Sequence, residues 1–382
     1  MAVHFKYSRD FIVGGPPAAQ VTPSFQLREY ARQDGTVHIH RELVGSVQVL
    51  RDAVGMPLKI VSVAPADGLG DGLEGRFVWV TAGDVAEVSK SAGRLAQEGH
   101  FRQVEARGER IYLEMPDPEA LPALRPEVAV ANALRVTAAF ETSGDPFQQV
   151  TGNFDGAGLS FGPLQVNLKT GTLQELFSRF AARNGAALQA CFGGLWDEWQ
   201  AMLKLPSRAR QVAWADGLSR GGRRTDFDPA WKAALQAVGR TPDFYTETLA
   251  YAYDVYGRKL IAALSWLHGL TPLRIDNFRC LAALYDLCVQ QGSLDDKARE
   301  AIRARVAREQ PADQLQLCRI AVEERGKTAS PAWRADCVSR RVGILEREPV
   351  AVSLNGKSAE RENPQFYLLR NAPVSRIEQY LL

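Results

Sequence analysis

Cysteine is scarce in this sequence, and its distribution argues against a disulfide framework. The 382 residues include five cysteines, an odd number with no Cys-x-x-Cys pair, and all of them lie in the C-terminal two-thirds: Cys191, Cys280, Cys288, Cys318 and Cys337. Small disulfide-rich domains carry an even number of cysteines at regular spacings. We therefore expect reduced thiols, most of them buried.

Long hydrophobic runs are also missing. The longest apolar stretches, at residues 127–140 and 260–270, are interrupted or shorter than the roughly 20 residues needed to cross a bilayer. The first six residues lead into charged and Pro/Gly-rich sequence without the apolar core of a signal peptide. We expect synthesis in the cytoplasm and no membrane insertion. Action at a cell wall or in a periplasm would then require delivery or cell lysis.

Charge of one sign does not dominate. The chain has 46 basic and 44 acidic residues, a formal net charge of +2, which excludes a protein that binds nucleic acid or an anionic membrane mainly by electrostatic attraction. With 46% hydrophobic and 24% charged residues, the composition is that of a globular chain long enough for two domains. Function must therefore be sought in local sites.

A proline-rich segment predicts a domain boundary near residue 125. Four prolines within residues 114–127 remove backbone donors and fix φ, so neither a helix nor a central strand can continue through it. Before it, apolar spacing predicts a helix at 42–54 and strands at 58–63, 76–80 and 110–114. After it, helical periodicity dominates near 227–239, 243–267, 274–291, 294–309 and 311–325, and Thr172-x-x-Glu175 predicts a capping box. The predicted fold class is α+β, with a small α+β domain followed by a mainly α domain.

Two carboxylic acids near the start of the second part lie in contrasting environments. Glu141 follows a predicted helix from about residue 127, where the negative end of the helix dipole and apolar neighbours should raise its pKa. Asp155 lies among glycines whose exposed N–H groups can stabilise an ionised carboxylate. A protonated and an ionised carboxyl group are what acid–base cleavage of a glycosidic bond requires. An acidic residue at a helix end followed by Asp-Gly is, however, also common in turns without catalytic function.

A family resemblance strengthens the catalytic interpretation. The ordered residues that carry it are Phe140-Glu141-Thr142 and then Asp155-Gly156-x-Gly158-x-Ser160-x-Gly162. This pattern resembles the signature of the bacterial chitosanases and their relatives in the lysozyme superfamily, over about residues 132–346. The resemblance implies a general acid at Glu141, a general base at Asp155, a hydroxyl at Ser160 that orients the attacking water, a lysozyme-like fold with a small β-hairpin, and no cofactor or metal. Ser160 replaces the family's Thr, which keeps the hydroxyl but loses the methyl group that restricts its rotamer.

Four further residues are candidate substrate contacts. Gln165 and Asn167 alternate on a predicted short strand, where both amides would point to one face and bind sugar hydroxyls or N-acetyl groups, although both could equally face water. Asp286 and Gln290 are four residues apart on an apolar predicted helix. For that pair, a buried structural network is the alternative to a substrate contact.

The N-terminal part carries a fainter resemblance. Residues 25–30, Asp34-Gly35 and the pattern through 42–62 resemble the first half of the zinc D,D-carboxypeptidase family of peptidoglycan peptidases. The family's Ser-x-His-x-x-Gly-x-Ala-x-Asp segment is replaced by residues 67–78, and its later His-x-Asp by Tyr112-Leu113-Glu114. Three protein ligands for zinc cannot be assembled from these residues. His38 and His40 do not lie at the ligand positions, and we expect an exposed pair. The domain is predicted to be non-catalytic, serving wall binding or delivery.

These observations lead to three hypotheses. The first is a peptidoglycan hydrolase, muramidase-like and inverting, that acts in bacterial cell-wall lysis as a phage lysin or antibacterial effector. Its domains would be residues 1–125, the catalytic domain 126–346 and a C-terminal extension 347–382; its partners would be peptidoglycan glycan strands and an immunity or delivery protein. The second is a chitosanase, although chitosan is cationic at mildly acid pH and the sequence after residue 125 is slightly basic. The third is a cell-wall-binding protein without activity.

Overall fold

The computed structural model describes residues 5–8, 10–63, 75–140, 145–153, 155–219, 227–354 and 357–377. The described chain is α+β and mainly helical, so the predicted fold class is confirmed. Its contacts divide it into two compact units, one made of residues 1–132, 270–283 and 296–380, and the other of residues 133–269, 284–295 and 381–382. Residues 296–346 are thus grouped with the N-terminal part, whereas the division proposed from the sequence placed them in the second domain.

The first unit contains short sheets and several helices. Its strands are β1 Lys6–Ser8, β2 Phe11–Gly14, β3 Gln20–Thr22, β4 Phe25–Gln26, β5 Ile39–His40, β6 Leu58–Ser62, β7 Phe77–Ala82, β8 Gln103–Arg107, β9 Arg110–Glu114, β13 Val350–Leu354 and β14 Lys357–Arg361. Its helices are α1 Arg41–Val54, α2 Val85–Gln97, α11 Asp296–Glu309, α12 Gln314–Lys327 and α13 Pro331–Glu346. The division between the units falls within α3, Pro126–Ala139, and within α10, Phe278–Gln291.

The main sheet of this unit is antiparallel, in the order β6, β7, β9, β8. Its central strand β7 is buried at four consecutive residues, Phe77 to Val80, because both faces of that strand are covered. The helix and strands predicted at 42–54, 58–63, 76–80 and 110–114 are confirmed as α1, β6, β7 and β9.

The second unit is mostly helical, with one small sheet. Its strands are β10 Val150–Thr151, β11 Ser160–Phe161 and β12 Val166–Asn167, and its helices are α4 Thr172–Phe192, α5 Trp196–Leu203, α6 Arg208–Leu218, α7 Pro229–Gly239, α8 Pro242–Ala252 and α9 Arg258–His268. Aromatic side chains of the helices form its core; Phe177, Trp199 and Phe244 are almost completely buried, with Trp199 stacked against Phe192. One π-helical turn, Tyr253–Gly257, interrupts the long helix predicted over 243–267.

Two local expectations are wrong. The N-cap of α4 is Gly171 rather than Thr172, and the Thr172 hydroxyl accepts a hydrogen bond from the Asn167 amide, 2.9 Å away, across the preceding turn. His38 and His40 are also not exposed, as we had predicted them to be. His38 is half-buried against Phe11, and His40 is 2% exposed and caps α1 with its side chain.

The cysteines behave as predicted. All five are free thiols; Cys191 is half-buried and the other four are buried. Within the described residues, no helix has the length and apolar character that a membrane span needs.

Candidate functional site

The predicted acid–base pair is only partly within the described residues. Helix α3 ends at Ala139, close to where the sequence predicted, and Glu141 lies outside the described residues. Asp155 is exposed in the turn that precedes β11, and one of its carboxylate oxygens accepts a hydrogen bond from the backbone N–H of Ala157 at 3.0 Å. One oxygen of the carboxylate is thus held by a backbone donor, while the residue stays exposed to water.

Asn153 anchors the turn that carries Asp155. Its side-chain oxygen accepts a hydrogen bond from the Gly158 amide at 2.7 Å, and its side-chain nitrogen donates to Asp216 on α6. Its own backbone N–H donates to the Ser219 hydroxyl at 2.8 Å. Two of these hydrogen bonds fix the turn to the end of α6, and the third closes the turn itself. Asn153 was not among the residues predicted from the sequence, although Asn side chains commonly form hydrogen bonds to the backbone of turns.

Two glycines give the turn its shape. Gly156 and Gly158 have φ values of 78° and 83°, in the left-handed region that favours glycine. A Cβ at Gly156 would meet open space, whereas one at Gly158 would lie 3.2 Å from the Leu168 Cβ and 3.3 Å from a Val212 methyl group. At position 156 only the backbone conformation favours glycine. At position 158 both the backbone conformation and the close packing favour it.

Ser160 lies on the central strand of the small sheet. Strand β11 pairs antiparallel with β10 and β12, and Ser160 lies opposite Thr151 on one side and Asn167 on the other. The residue is 6% exposed. Its position is consequently fixed by the two neighbouring strands. Ser160 follows Asp155 by five residues along the chain.

The two predicted amide contacts take part in the hairpin that follows. We expected Gln165 on a strand, but it lies in a turn with a φ of 47°. Its amide nitrogen donates a hydrogen bond to the Gly162 carbonyl at 2.8 Å. Asn167 is on β12, and its side-chain oxygen accepts hydrogen bonds from the amide and hydroxyl of Thr170, each at 3.0 Å. Both amides therefore stabilise turns. Their role in substrate binding stays a prediction.

The other predicted pair lies on α10. Asp286 is completely buried, and Gln290, one turn later, is half-buried. Complete burial of the Asp286 carboxylate favours the structural network that the sequence analysis gave as the alternative to a substrate contact.

A charged network between α4 and α8 was not predicted from the sequence. Glu247 on α8 accepts hydrogen bonds from Arg179 at 2.6 Å and from Arg183 at 2.8 Å, and Arg179 also pairs with Asp254 at 2.8 Å. Burial, and then the charge of the neighbouring Glu175, raises the pKa of Tyr251 well above its ordinary value. The arginines and their partners lie about 60 to 75 residues apart in sequence, so no local pattern could have indicated them.

In the first unit, part of the region compared with the zinc peptidases lies outside the described residues. This holds for residues 67–74 of the segment where the first ligands would fall. At the other end, the Tyr112 hydroxyl donates to the buried carboxylate of Glu114 at 3.0 Å, and Arg102 forms an ion pair with the same carboxylate. Glu114 is thus held by two protein partners. The loss of a zinc centre stays a prediction.

Comparison with known proteins gives structural neighbours only. No family model matches the sequence, and no curated protein matches it. Similar solved structures include a native chitosanase from Bacillus subtilis MY002, with 15% identity and a TM-score of 0.39 over 63% of this chain and 99% of that chain. A GH46 chitosanase from Gynuella sunshinyii in complex with chitotetraose has 14% identity and a TM-score of 0.40 over 63% and 98% of the two chains. A further chitosanase complex has 19% identity and a TM-score of 0.37 over 60% and 95%.

Proposed function

We propose that this protein is a glycoside hydrolase that cleaves the glycan strand of peptidoglycan with inversion at the anomeric carbon. The observation that carries the proposal is the ordered set Glu141, Asp155-Gly156-x-Gly158 and Ser160, whose resemblance to the chitosanase and lysozyme superfamily covers about residues 132–346. The exposed and anchored position of Asp155 supports it, because a general base must reach water while its carboxylate is held still.

The proposed reaction uses two carboxyl groups and one water molecule. Asp155 takes a proton from the water as its oxygen bonds to the anomeric carbon. Glu141 gives its proton to the glycosidic oxygen as the bond to the leaving sugar breaks. The Ser160 hydroxyl orients the water. Attack from the face opposite the leaving group inverts the anomeric configuration, which requires carboxyl groups about 6.5–9.5 Å apart to leave room for the water.

The choice of peptidoglycan rests on the longer sequence resemblance. The run Gly152 to Asn167 resembles a branch of the superfamily that occurs in phage and bacterial cell-wall lysis. The faint resemblance of residues 25–62 to peptidoglycan peptidases is consistent with the same polymer. The first unit would then serve wall binding or delivery. Chitosan is the second candidate substrate, favoured by the part of the motif that is shared with chitosanases.

The test compares acid-to-amide variants on purified sacculi. Glu141→Gln and Asp155→Asn should each lower the release of soluble muropeptides by about 100-fold or more, because each removes a proton-transfer group. Matched controls are Glu127→Gln, on the exposed side of α3, and Asp197→Asn, exposed on α5. Both controls should keep wild-type activity, and all four variants should keep the wild-type melting temperature.

Product analysis distinguishes the alternatives. Mass spectrometry of the fragments identifies the sugar at the new reducing end, and proton NMR of the first product reports the anomeric configuration. Cleavage of chitosan without cleavage of sacculi would replace the proposal with a chitosanase. Binding to sacculi without cleavage of either polymer by the wild type would indicate a wall-binding protein. Undiminished cleavage by Glu141→Gln would reject the assigned acid.

A further inference from the structure

A cavity of about 640 Å³ lies within the first unit, apart from the residues assigned to hydrolysis. Aromatic and aliphatic side chains form most of its wall, among them Phe5, Tyr7, Ile12, Phe366 and Leu369. Sites for small organic molecules usually have volumes of roughly 300–1,000 Å³ and mostly apolar walls with a few polar groups. This cavity therefore has the size and wall composition of a ligand site.

The charged part of the wall has an unusual balance. Two arginines, Arg41 and Arg347, line the cavity together with two carboxylates, those of the buried Glu42 and the exposed Glu362. The Glu42 carboxylate, 3% exposed, is shared by Arg347 at 2.6 Å and by the equally buried Arg370 at 3.4 Å, and it also accepts the backbone N–H of Asn371 at 2.8 Å. One buried carboxylate thus serves two buried guanidinium groups.

The remaining carboxylate partners are much more exposed. Arg41 is 13% exposed and pairs with Glu348, which is 40% exposed, while Arg347 pairs also with Asp10, which is 43% exposed. Solvent screens ion pairs of this kind, so they compensate a buried charge less than a buried partner would. In addition, Nε of Arg347 and Nη1 of Arg370 are buried and have no hydrogen-bond acceptor among the described residues. The buried guanidinium groups therefore carry more positive charge than the one buried carboxylate, Glu42, can balance. They also present two buried N–H groups that have no acceptor in the described part of the chain.

Arg41 is the third guanidinium group in these surroundings. Its guanidinium lies 4.5 Å from the centre of the Tyr7 ring and donates to the backbone carbonyl of Arg347. Burial, and next the positive charge of Arg347, lowers the pKa of Arg41 to about 10. The side chain stays protonated at neutral pH but lies where an additional negative charge would be favourable.

We propose that this cavity binds a small organic anion, with a carboxylate at the Arg41 and Arg347 end and an apolar body against Tyr7, Ile12 and Phe366. The carboxylate would supply an acceptor to Nε of Arg347, which has none among the described residues, and charge-assisted hydrogen bonds to guanidinium are among the stronger polar contacts in proteins. The apolar body would cover the aromatic wall. This site is independent of the proposed hydrolysis, because it lies in the other unit and uses none of the residues assigned to catalysis.

The test uses pairs of ligands that differ in charge alone. The full-length protein is titrated by calorimetry with 4-phenylbutyrate and octanoate, and in parallel with 4-phenylbutanol and octanol. At least one carboxylate should bind about tenfold or more tightly than its alcohol, the difference expected for hydrogen bonds to a charged partner. Absence of measurable binding by both carboxylates at millimolar concentration would overturn the proposal, as would equal affinities within each pair.

Three variants locate the binding. Ala18→Trp places a large side chain at an exposed residue of the cavity wall and should weaken carboxylate binding about tenfold or more. The control is Ala86→Trp, at an exposed residue of α2 that does not line the cavity, and it should leave carboxylate binding unchanged. Glu348→Gln removes the exposed partner of Arg41 and should strengthen carboxylate binding without affecting the alcohols. Melting temperatures establish that the variants are folded. Unchanged affinity in Ala18→Trp, or weaker carboxylate binding in Glu348→Gln, would contradict the assignment of the site.

Discussion

At the scale of single residues, the turn that carries Asp155 depends on two glycines with different requirements. Replacing Gly156 with Ala should destabilise the protein by about 1–2 kcal/mol, the ordinary cost of a left-handed conformation for a residue with a Cβ. Replacing Gly158 with Ala should cost more, because the new Cβ also meets Leu168 and Val212 within 3.3 Å. Urea unfolding of both variants measures the difference.

The matched pair separates conformation from packing. If the two variants have the same free energy of unfolding, the contact at Gly158 is relieved at no cost and the close packing inferred here is wrong. Activity adds a second measurement. Because Asn153 holds the Gly158 amide in the turn of Asp155, Gly158→Ala should also lower the proposed hydrolysis more than Gly156→Ala does.

At the scale of secondary-structure elements, helix α4 is interrupted at Asn184. This residue has non-helical dihedral angles, with φ of −152° and ψ of 72°, inside the helix Thr172–Phe192. Its side-chain oxygen accepts the Ala187 amide at 3.1 Å, as an N-cap does, and its side-chain nitrogen donates to Asp243 at 2.6 Å on α8. Asn184 therefore starts the second part of the helix and attaches it to a neighbouring helix.

Asn184→Ala should lower the free energy of unfolding by about 1–2 kcal/mol, because it removes a helix cap and the hydrogen bond to Asp243. The matched control is Asn184→Ser, which can keep the cap but is too short to reach Asp243 in the same way. Its stability should lie between those of the wild type and the Ala variant in chemical unfolding. An Ala variant as stable as the wild type would mean that the interruption is not held by this side chain.

The sequence predicts such elements well where burial follows local periodicity. The apolar spacing of α1 and of the strands β6, β7 and β9 indicated their type and approximate ends. It did not indicate the break at Asn184 or the turn conformation of Gln165, because each depends on the backbone angles of a single residue. The break at Asn184 also depends on a partner 59 residues away, Asp243. The same limit applies to the candidate site. The motif predicted Asp155 and Ser160 as candidate site residues, but it gave no indication of the contacts that anchor Asn153 to α6.

At the scale of the whole molecule, the first unit joins residues that are far apart in the sequence. Glu42 and Arg347 are 305 residues apart and form a buried ion pair in the first unit. A boundary inferred from prolines near residue 125 cannot reveal that residues 296–380 belong to the same unit as α1. Local sequence patterns carry no information about which distant charged side chain will neutralise a buried carboxylate.

The first unit also contains two buried histidines that should make the protein sensitive to acid. Burial lowers the pKa of His40 from 6.5 to about 4 and that of His100 to about 3. Between these values and 6.5, the unfolded chain binds protons that the folded chain does not, so stability is full above pH 6.5 and falls as the pH decreases. Each histidine should contribute a loss of about 1.4 kcal/mol per pH unit in that window.

His40 offers the sharper test, because it caps α1 through Nδ1, which accepts the Glu42 amide at 3.2 Å. Asn is a good N-cap that does not titrate, so His40→Asn should keep the helix cap and remove about 3 kcal/mol of the stability loss between pH 6.5 and 4. Urea unfolding of the wild type and the variant at several pH values gives both curves. They should run parallel above pH 6.5, where the ring is neutral in both states, and below it the wild-type stability should fall more steeply than that of the variant. Parallel curves down to pH 4 would show that protonation of His40 does not oppose folding. That result would reject the conclusion that a neutral His40 ring caps α1 in the folded protein.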